Sequence, residues 1–230
     1  IYCAFNYHFF KLQQCTLHVF RDNVINRLIL ITKRNDKMAK MKVLSSARKR
    51  AFDSVPKLTK EATIGYFTLD VETKKILNKM QSNVAKVGYL VSKAYFQAKG
   101  RFFETSRFID ADIKRATKAL SLKSTIDLST YSPEVASRQK KQILAQYNWK
   151  AMTSNTTALL AAHADSLVSI RMNKEDMLFA LVSYCWMRRV EIPSYNQFID
   201  IISTAFHSYE TRMLHLVEKS LSLKKKKSLL

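Results

Sequence analysis

The segment SNVAKVGYLVSKAYFQAKG, residues 82–100, decides the fold class. Its apolar residues recur at the spacing of a helix that faces a core. They are Val84, Val87, Tyr89, Leu90, Val91, Ala94 and Tyr95. Gly100 suits the left-handed conformation that ends many helices. The segment therefore predicts a core helix from about Ser82 to Lys99.

Further helix starts and stops lie along the rest of the chain. Short polar residues suited to cap a helix begin most of the apolar-periodic segments. These candidate caps are Ser45 or Ser46, Thr59, Asp70, Ser132, Asn173 and Ser194. Two more helices are predicted at 109–120 and at about 153–169. Only three glycines and three prolines occur in 230 residues, too few for a turn-rich β-fold. We expect an all-α, multi-helical protein with short helices in the first half and longer amphipathic helices in the second.

Charge is the strongest functional signal in the composition. The chain carries 39 basic and 18 acidic side chains, a formal net charge of +21, and 47% of its residues are hydrophobic. A foldable chain with such an excess of positive charge favours a polyanionic partner. Nucleic acid is the leading candidate, and an anionic membrane surface is the second.

Cysteine usage and hydropathy predict the compartment. Cys3, Cys15 and Cys185 are an odd number without paired spacing, which favours a reducing compartment. No apolar run is long enough to span a bilayer, and the start lacks the pattern of a secretory signal. We therefore expect a cytoplasmic protein without a membrane partner.

Composition divides the chain into four predicted parts. Residues 1–40 lack a sustained apolar period. The first two methionines are Met38, near the end of this stretch, and Met41, just after it, so we expect a non-native or disordered leader. Residues 41–150 hold 22 basic and 9 acidic side chains and are predicted to form a basic helical DNA-binding subdomain. Residues 151–223 are predicted to form a second helical subdomain, and residues 224–230 form a basic tail.

Several short motifs resemble the amino-terminal region of Tn3-family transposases. They are F-T-L at 67–69, G-Y at 88–89, G-R-F-F at 100–103, the arginine-containing helix R-Q-K-K-Q-I-L at 138–144, and I-P-S-Y at 192–195. The resemblance covers about Met41 to Leu223. In that family the region is catalogued as a domain of unknown function, DUF4158, and lies upstream of the catalytic core.

The resemblance implies that the chain grips double-stranded DNA at the terminal inverted repeats of a transposon. It also implies no catalysis by this chain, because the acidic-triad catalytic domain lies in a distal part of such transposases. We expect no cofactor and no metal. The predicted DNA contacts are Arg48, Lys49, Arg50, Arg101, Lys114, Arg115, Lys118, Arg138, Lys140 and Lys141. For each of them a solvated helix face is an equally good interpretation, and for Arg101 the anchoring of a turn is as good.

Other functions stay open at this point. A helical interaction module would dimerise, or dock on a catalytic domain, through an amphipathic last helix bearing Phe198, Ile202, Tyr209 and Met213. A third alternative is a non-functional gene remnant. The aromatic residues Tyr66, Phe67, Tyr89, Tyr95, Phe96 and Phe103 favour core packing over base stacking. Cys3, His8, Cys15 and His18 are spaced too closely for a finger-type zinc site.

Overall fold

The computed structural model describes residues 41–59, 64–123 and 126–227, with side chains through Ser220. Within these ranges the protein is all-α, as the sequence predicts. Eight α-helices and one short 3-10 helix, Thr105–Arg107, have described bounds, and residues 64–66 are also helical. The helices are α1 Ser46–Asp53, α2 Val71–Asn78, α3 Asn83–Lys99, α4 Asp110–Ala119, α5 Pro133–Gln146, α6 Ser154–Ser169, α7 Lys174–Arg188 and α8 Tyr195–Lys227.

Polar residues at the predicted helix starts cap these helices. The side chains of Ser45, Asp70 and Ser82 accept hydrogen bonds from backbone N–H groups in the first turns of α1, α2 and α3. Ser132 and Asn173 do the same for α5 and α7. Each bond satisfies a backbone donor that the helix itself leaves unpaired. The prediction of these five helix starts is therefore confirmed.

Helix α3 lies at the centre of the first half. Val87, Tyr89, Leu90 and Val91 are fully buried, and α4 and α5 both pack against it. Gly88 lets the chain approach closely, because a Cβ atom there would lie 2.7 Å from the ring of Tyr131. Phe67, Tyr95 and Phe96 join this core, which confirms that they pack inside the protein.

The second half consists of α6, α7 and α8, which pack on one another. Phe198 and Ile202 are fully buried within the chain, and Phe198 also meets Phe52 of α1 at a ring-centroid distance of 6.1 Å. The apolar stripe of α8 is therefore partly used in the fold. Further along, Met213, Leu216 and Val217 are exposed.

The described residues from Lys42 onward belong to one compact unit. The two predicted subdomains meet inside it, because Lys150 and Val190 form an isolated parallel β-bridge. The Ile192 N–H also donates to the Gly100 carbonyl at 2.9 Å. The division near residue 150 stays a prediction. The leader and the Cys3, His8, Cys15 and His18 quartet lie outside the described residues, as do the side chains of the basic tail.

Candidate nucleic-acid interface

The ten predicted DNA contacts divide into two groups by their surroundings. Five side chains already have partners within the chain, and we call them the engaged cations. They are Arg48, Lys49, Arg101, Arg115 and Lys140. The other five form no ion pair or hydrogen bond with another side chain of the described ranges, and we call them the free cations. They are Arg50, Lys114, Lys118, Arg138 and Lys141.

Arg101 is the most enclosed of the engaged cations. Its guanidinium pairs with Asp53 at the end of α1 at 2.8 Å, and its side chain is only 11% exposed. The same Asp53 oxygen accepts the Tyr195 N–H at 3.1 Å, which ties α1 to the start of α8. The Tyr195 hydroxyl in turn accepts the N–H groups of Val43 and Leu44. Arg101 therefore anchors a junction between distant segments.

Two more cations close the same end of α1. The Lys99 ammonium donates to the carbonyls of Ala51 and Phe52, and Arg107 donates to the carbonyl of Asp53 at 2.5 Å. These carbonyls have no partner within the helix, and the negative end of the helix dipole favours cations there. Burial lowers the pKa of Lys99, and the charge of Arg101 lowers it further. We call the contacts of α1 with Lys99, Arg101, Arg107 and Tyr195 the α1 junction.

Two of the motifs that carry the family resemblance meet at this junction. Gly100 has φ +64°, and a Cβ atom there would lie 2.9 Å from Cδ1 of Ile192. G-R-F-F at 100–103 and I-P-S-Y at 192–195 are thus neighbours in space. The motif residues build the fold at this point, since their side chains and backbone satisfy one another.

Arg48 and Lys49 lie on α1 near the second half of the chain. Arg48 pairs with Glu175 at 2.6 Å, and Lys49 donates to the side chain of Asn196 at 3.0 Å. Both Arg48 and Glu175 are exposed enough for water to screen the pair. These contacts orient the two cations toward the protein.

Arg115 and Lys140 neutralise buried carboxylates. Asp112 is 1% exposed, pairs with Arg115 at 2.6 Å and accepts the Tyr95 hydroxyl at 2.8 Å. Burial raises the pKa of that hydroxyl well above its ordinary range, so it stays a donor. Lys140 pairs with Glu191, a buried residue, at 2.6 Å. Loss of either cation would leave a buried negative charge without its partner.

The free cations lie on the outward faces of α1, α4 and α5. Lys114 and Lys118 are one turn apart on α4, whose buried face carries Asp112, Ala116 and Thr117. Arg138 and Lys141 are likewise one turn apart on α5 and are exposed. The pKa of Glu134 is lowered mainly by a hydrogen bond with Ser132, and the positive charge of Arg138 also lowers it. Because α4 and α5 both pack on α3, the positions of these cations are fixed relative to one another.

A second group of cations, which is not among the predicted contacts, lies on α2 and at the start of α3. Lys74 and Lys86 line a shallow groove of about 270 Å³ together with Asn78 and Asn83. The interpretation of α2 followed its apolar residues alone. The lysines recurring at 74, 75 and 79 were the available signal.

The described ranges offer little for other kinds of site. No group of three or more histidine, cysteine or acidic side chains there is placed to hold a metal ion. The ring of His163 stacks on Tyr184 at a centroid distance of 4.4 Å. Among the described helices, none combines the length and hydropathy needed to cross a bilayer.

Comparison with known proteins identifies a family whose function is unknown. Curated proteins contain no match to this chain. One family model, described as a domain of unknown function (DUF4158), matches residues 43–205. The matched range contains every helix from α1 to α7, the α1 junction and all ten predicted cations. The chain therefore belongs to the DUF4158 family.

Proposed function

We propose that the chain is a DNA-binding region of the Tn3-family transposase type, which holds the terminal inverted repeats of a transposon. DUF4158 is a domain found in amino-terminal regions of these transposases, in agreement with the resemblance of the motifs. The chain performs no strand cleavage in this proposal. Double-stranded DNA is its partner.

The free cations carry the proposal. Lys114, Lys118, Arg138 and Lys141 point outward without ion pairs to the described residues, so their charge is available to a polyanion. Lysine and arginine contacts to phosphates supply most of the affinity in protein–DNA complexes and make it fall steeply with salt. A few side chains reading base edges would then provide preference for the repeat. The engaged cations contribute to this surface only where DNA displaces their present partners.

Fluorescence anisotropy with the full chain tests the proposal. A labelled duplex carrying the terminal inverted repeat of a Tn3-family element is compared with a scrambled duplex across a salt series. We expect tighter binding to the repeat and a linear fall of the logarithm of affinity with the logarithm of salt concentration. Equal affinities for both duplexes would remove repeat recognition from the proposal. Absence of binding at low salt would contradict DNA binding altogether.

The exposed stripe on α8 favours a second candidate, a helical interaction module. Met213 and Leu216 are exposed, whereas Phe198 and Ile202 are buried and unavailable to a partner. Two of the four residues predicted for such a module are therefore buried, and a partner would contact the later turns of α8 instead. Association through them would be insensitive to salt, and analytical ultracentrifugation of Leu216→Glu against the unaltered chain would detect it.

A further inference from the structure

The groove between α2, the start of α3 and the end of α4 has the composition of an anion site. Its volume is about 270 Å³, and it opens to solvent. It is lined by Leu69, Lys74, Leu77, Asn78, Asn83, Lys86, Ala119, Leu120, Ser121 and Leu122. The lining contains two cations, three neutral polar side chains and no carboxylate. An anion entering it would meet hydrogen-bond donors and no carboxylate of the lining.

More positive charge surrounds the groove along the chain. Lys79 follows Asn78, Lys118 precedes Ala119, and Lys123 follows Leu122. All three are exposed, and they form no ion pair with the side chains that the structure describes. The segments that line the groove thus carry further lysines beside Lys74 and Lys86.

Helix electrostatics alone do not explain this arrangement. Lys86 lies at the beginning of α3, where the positive end of the helix dipole disfavours a cation. The first turn of α3 holds no acidic residue to offset it. Lys74 lies in the middle of α2, away from the helix end that would favour it. A bound anion would offset the repulsion at Lys86 and would give Lys74 a partner.

The openness of the groove favours one kind of anion over another. Sites for small organic ligands usually exceed about 300 Å³ and enclose most of the ligand. This groove is close to the lower end of that range in size but is open to solvent, which suits a stretch of backbone passing through it. Lysine and asparagine side chains are ordinary contacts to DNA phosphates.

We propose that this groove holds a phosphodiester segment of bound DNA, with Lys74 and Lys86 contacting its phosphates. The inference rests on the proposed DNA binding and deepens it by naming a contact site that the sequence analysis did not find. Phosphate contacts position a protein on the duplex and carry no direct base information. The groove therefore contributes equally to the inverted repeat and to any other duplex.

Charge-removing substitutions in the full chain test the groove. The variant Lys74→Gln/Lys86→Gln is compared with Lys57→Gln/Lys150→Gln, which removes the same charge from exposed positions outside the groove lining. We expect the groove variant to bind both duplexes about 10- to 100-fold more weakly near 0.1 M salt. The salt slope of the logarithmic affinity should become less steep by about 2. Circular dichroism should show unchanged helicity in both variants.

The remaining outcomes separate the groove from the wider proposal. Unchanged binding by the groove variant, while the unaltered chain binds DNA, would overturn the groove and leave the proposed function standing. Equal weakening in the control variant would reduce the effect to net charge and also overturn the groove. An unaltered chain that fails to bind either duplex at low salt would overturn both.

Discussion

The α1 junction and the outward faces of α4 and α5 are both basic in sequence but differ in what their cations do. At the junction Lys99, Arg101 and Arg107 bind the carbonyls and carboxylate at the end of α1. On α4 and α5, Lys114 and Arg138 face solvent without such partners. Cations that lie next to helix ends or carboxylates therefore stabilise the fold. Cations without such neighbours are available to a ligand.

The largest loss of stability is expected from a substitution that breaks the α1 junction. Arg101→Gln leaves Asp53 without its cation, so the free energy of unfolding should fall by about 3 kcal/mol, as for other enclosed ion pairs. Urea denaturation of the full chain followed by circular dichroism measures it. Arg101→Lys is the control and should recover only part of the loss, because one ammonium cannot replace a planar guanidinium. A change below about 0.5 kcal/mol in Arg101→Gln would show that the junction does not depend on this pair.

Gly100→Ala should be the next largest effect. A Cβ atom at φ +64° would be strained and would press on Ile192, which together should cost about 1–3 kcal/mol of stability. Gly65→Ala is a matched control, since a Cβ atom there meets nothing within 4 Å. Equal unfolding midpoints for the two variants in urea would refute the close approach of the two motifs.

Removal of free cations should weaken DNA binding without changing the stability of the fold. Lys114→Gln/Lys118→Gln changes two exposed side chains of α4, so the free energy of unfolding should stay within about 0.5 kcal/mol. Affinity for duplex DNA should fall, with a salt slope less steep by about 2. Thermal unfolding and anisotropy on the same preparation provide both readouts. Destabilisation without loss of DNA binding would reverse the assignment of this face.

The smallest effect concerns Asp70, which caps α2 and lies 3.9 Å from the buried ammonium of Lys93. Burial acts to raise the pKa of Asp70, but hydrogen bonds from Thr73 and the Lys93 charge outweigh it, and the pKa lies below 3.8. The ionised form therefore stabilises the folded protein above pH 3.8, and this stabilisation is lost as the pH falls through the folded-state pKa.

Asp70→Asn tests that dependence, because asparagine can still cap the helix but has no charge to lose. We expect the variant to be less stable than the unaltered chain by under about 1 kcal/mol at pH 7, since Asp70 is largely exposed. The difference should shrink at pH 3. Urea denaturation at the two pH values measures it, and an equal difference at both would exclude the charge as its cause.

Local signals in the sequence predicted the helices well. Capping residues act on the next three residues, so Ser45, Asp70 and Ser82 could be recognised without knowledge of the fold. The core face of α3 followed from its period in the same way. Arg115 could also have been interpreted as engaged, because Asp112 precedes it by three residues on one helix.

Long-range partners could not be predicted. Arg101 and Asp53 are 48 residues apart, and Lys140 and Glu191 are 51 apart. Nothing in either local segment indicates that they meet, since the packing of helices decides it. The groove at Lys74 and Lys86 was missed for the same reason, as its walls come from three segments. Net charge predicts a polyanionic partner, which stays a prediction, while the division into engaged and free cations required the fold.

One comparison tests this division most directly, because the chain offers two matched pairs of cations. Arg138→Gln/Lys141→Gln removes a free arginine and lysine from α5, and Arg48→Gln/Lys49→Gln removes an engaged arginine and lysine from α1. Anisotropy across a salt series should show a slope less steep by about 2 for the α5 variant and an unchanged slope for the α1 variant. Equal slopes for both variants, or a loss confined to α1, would contradict the assignment of DNA contact to the free cations.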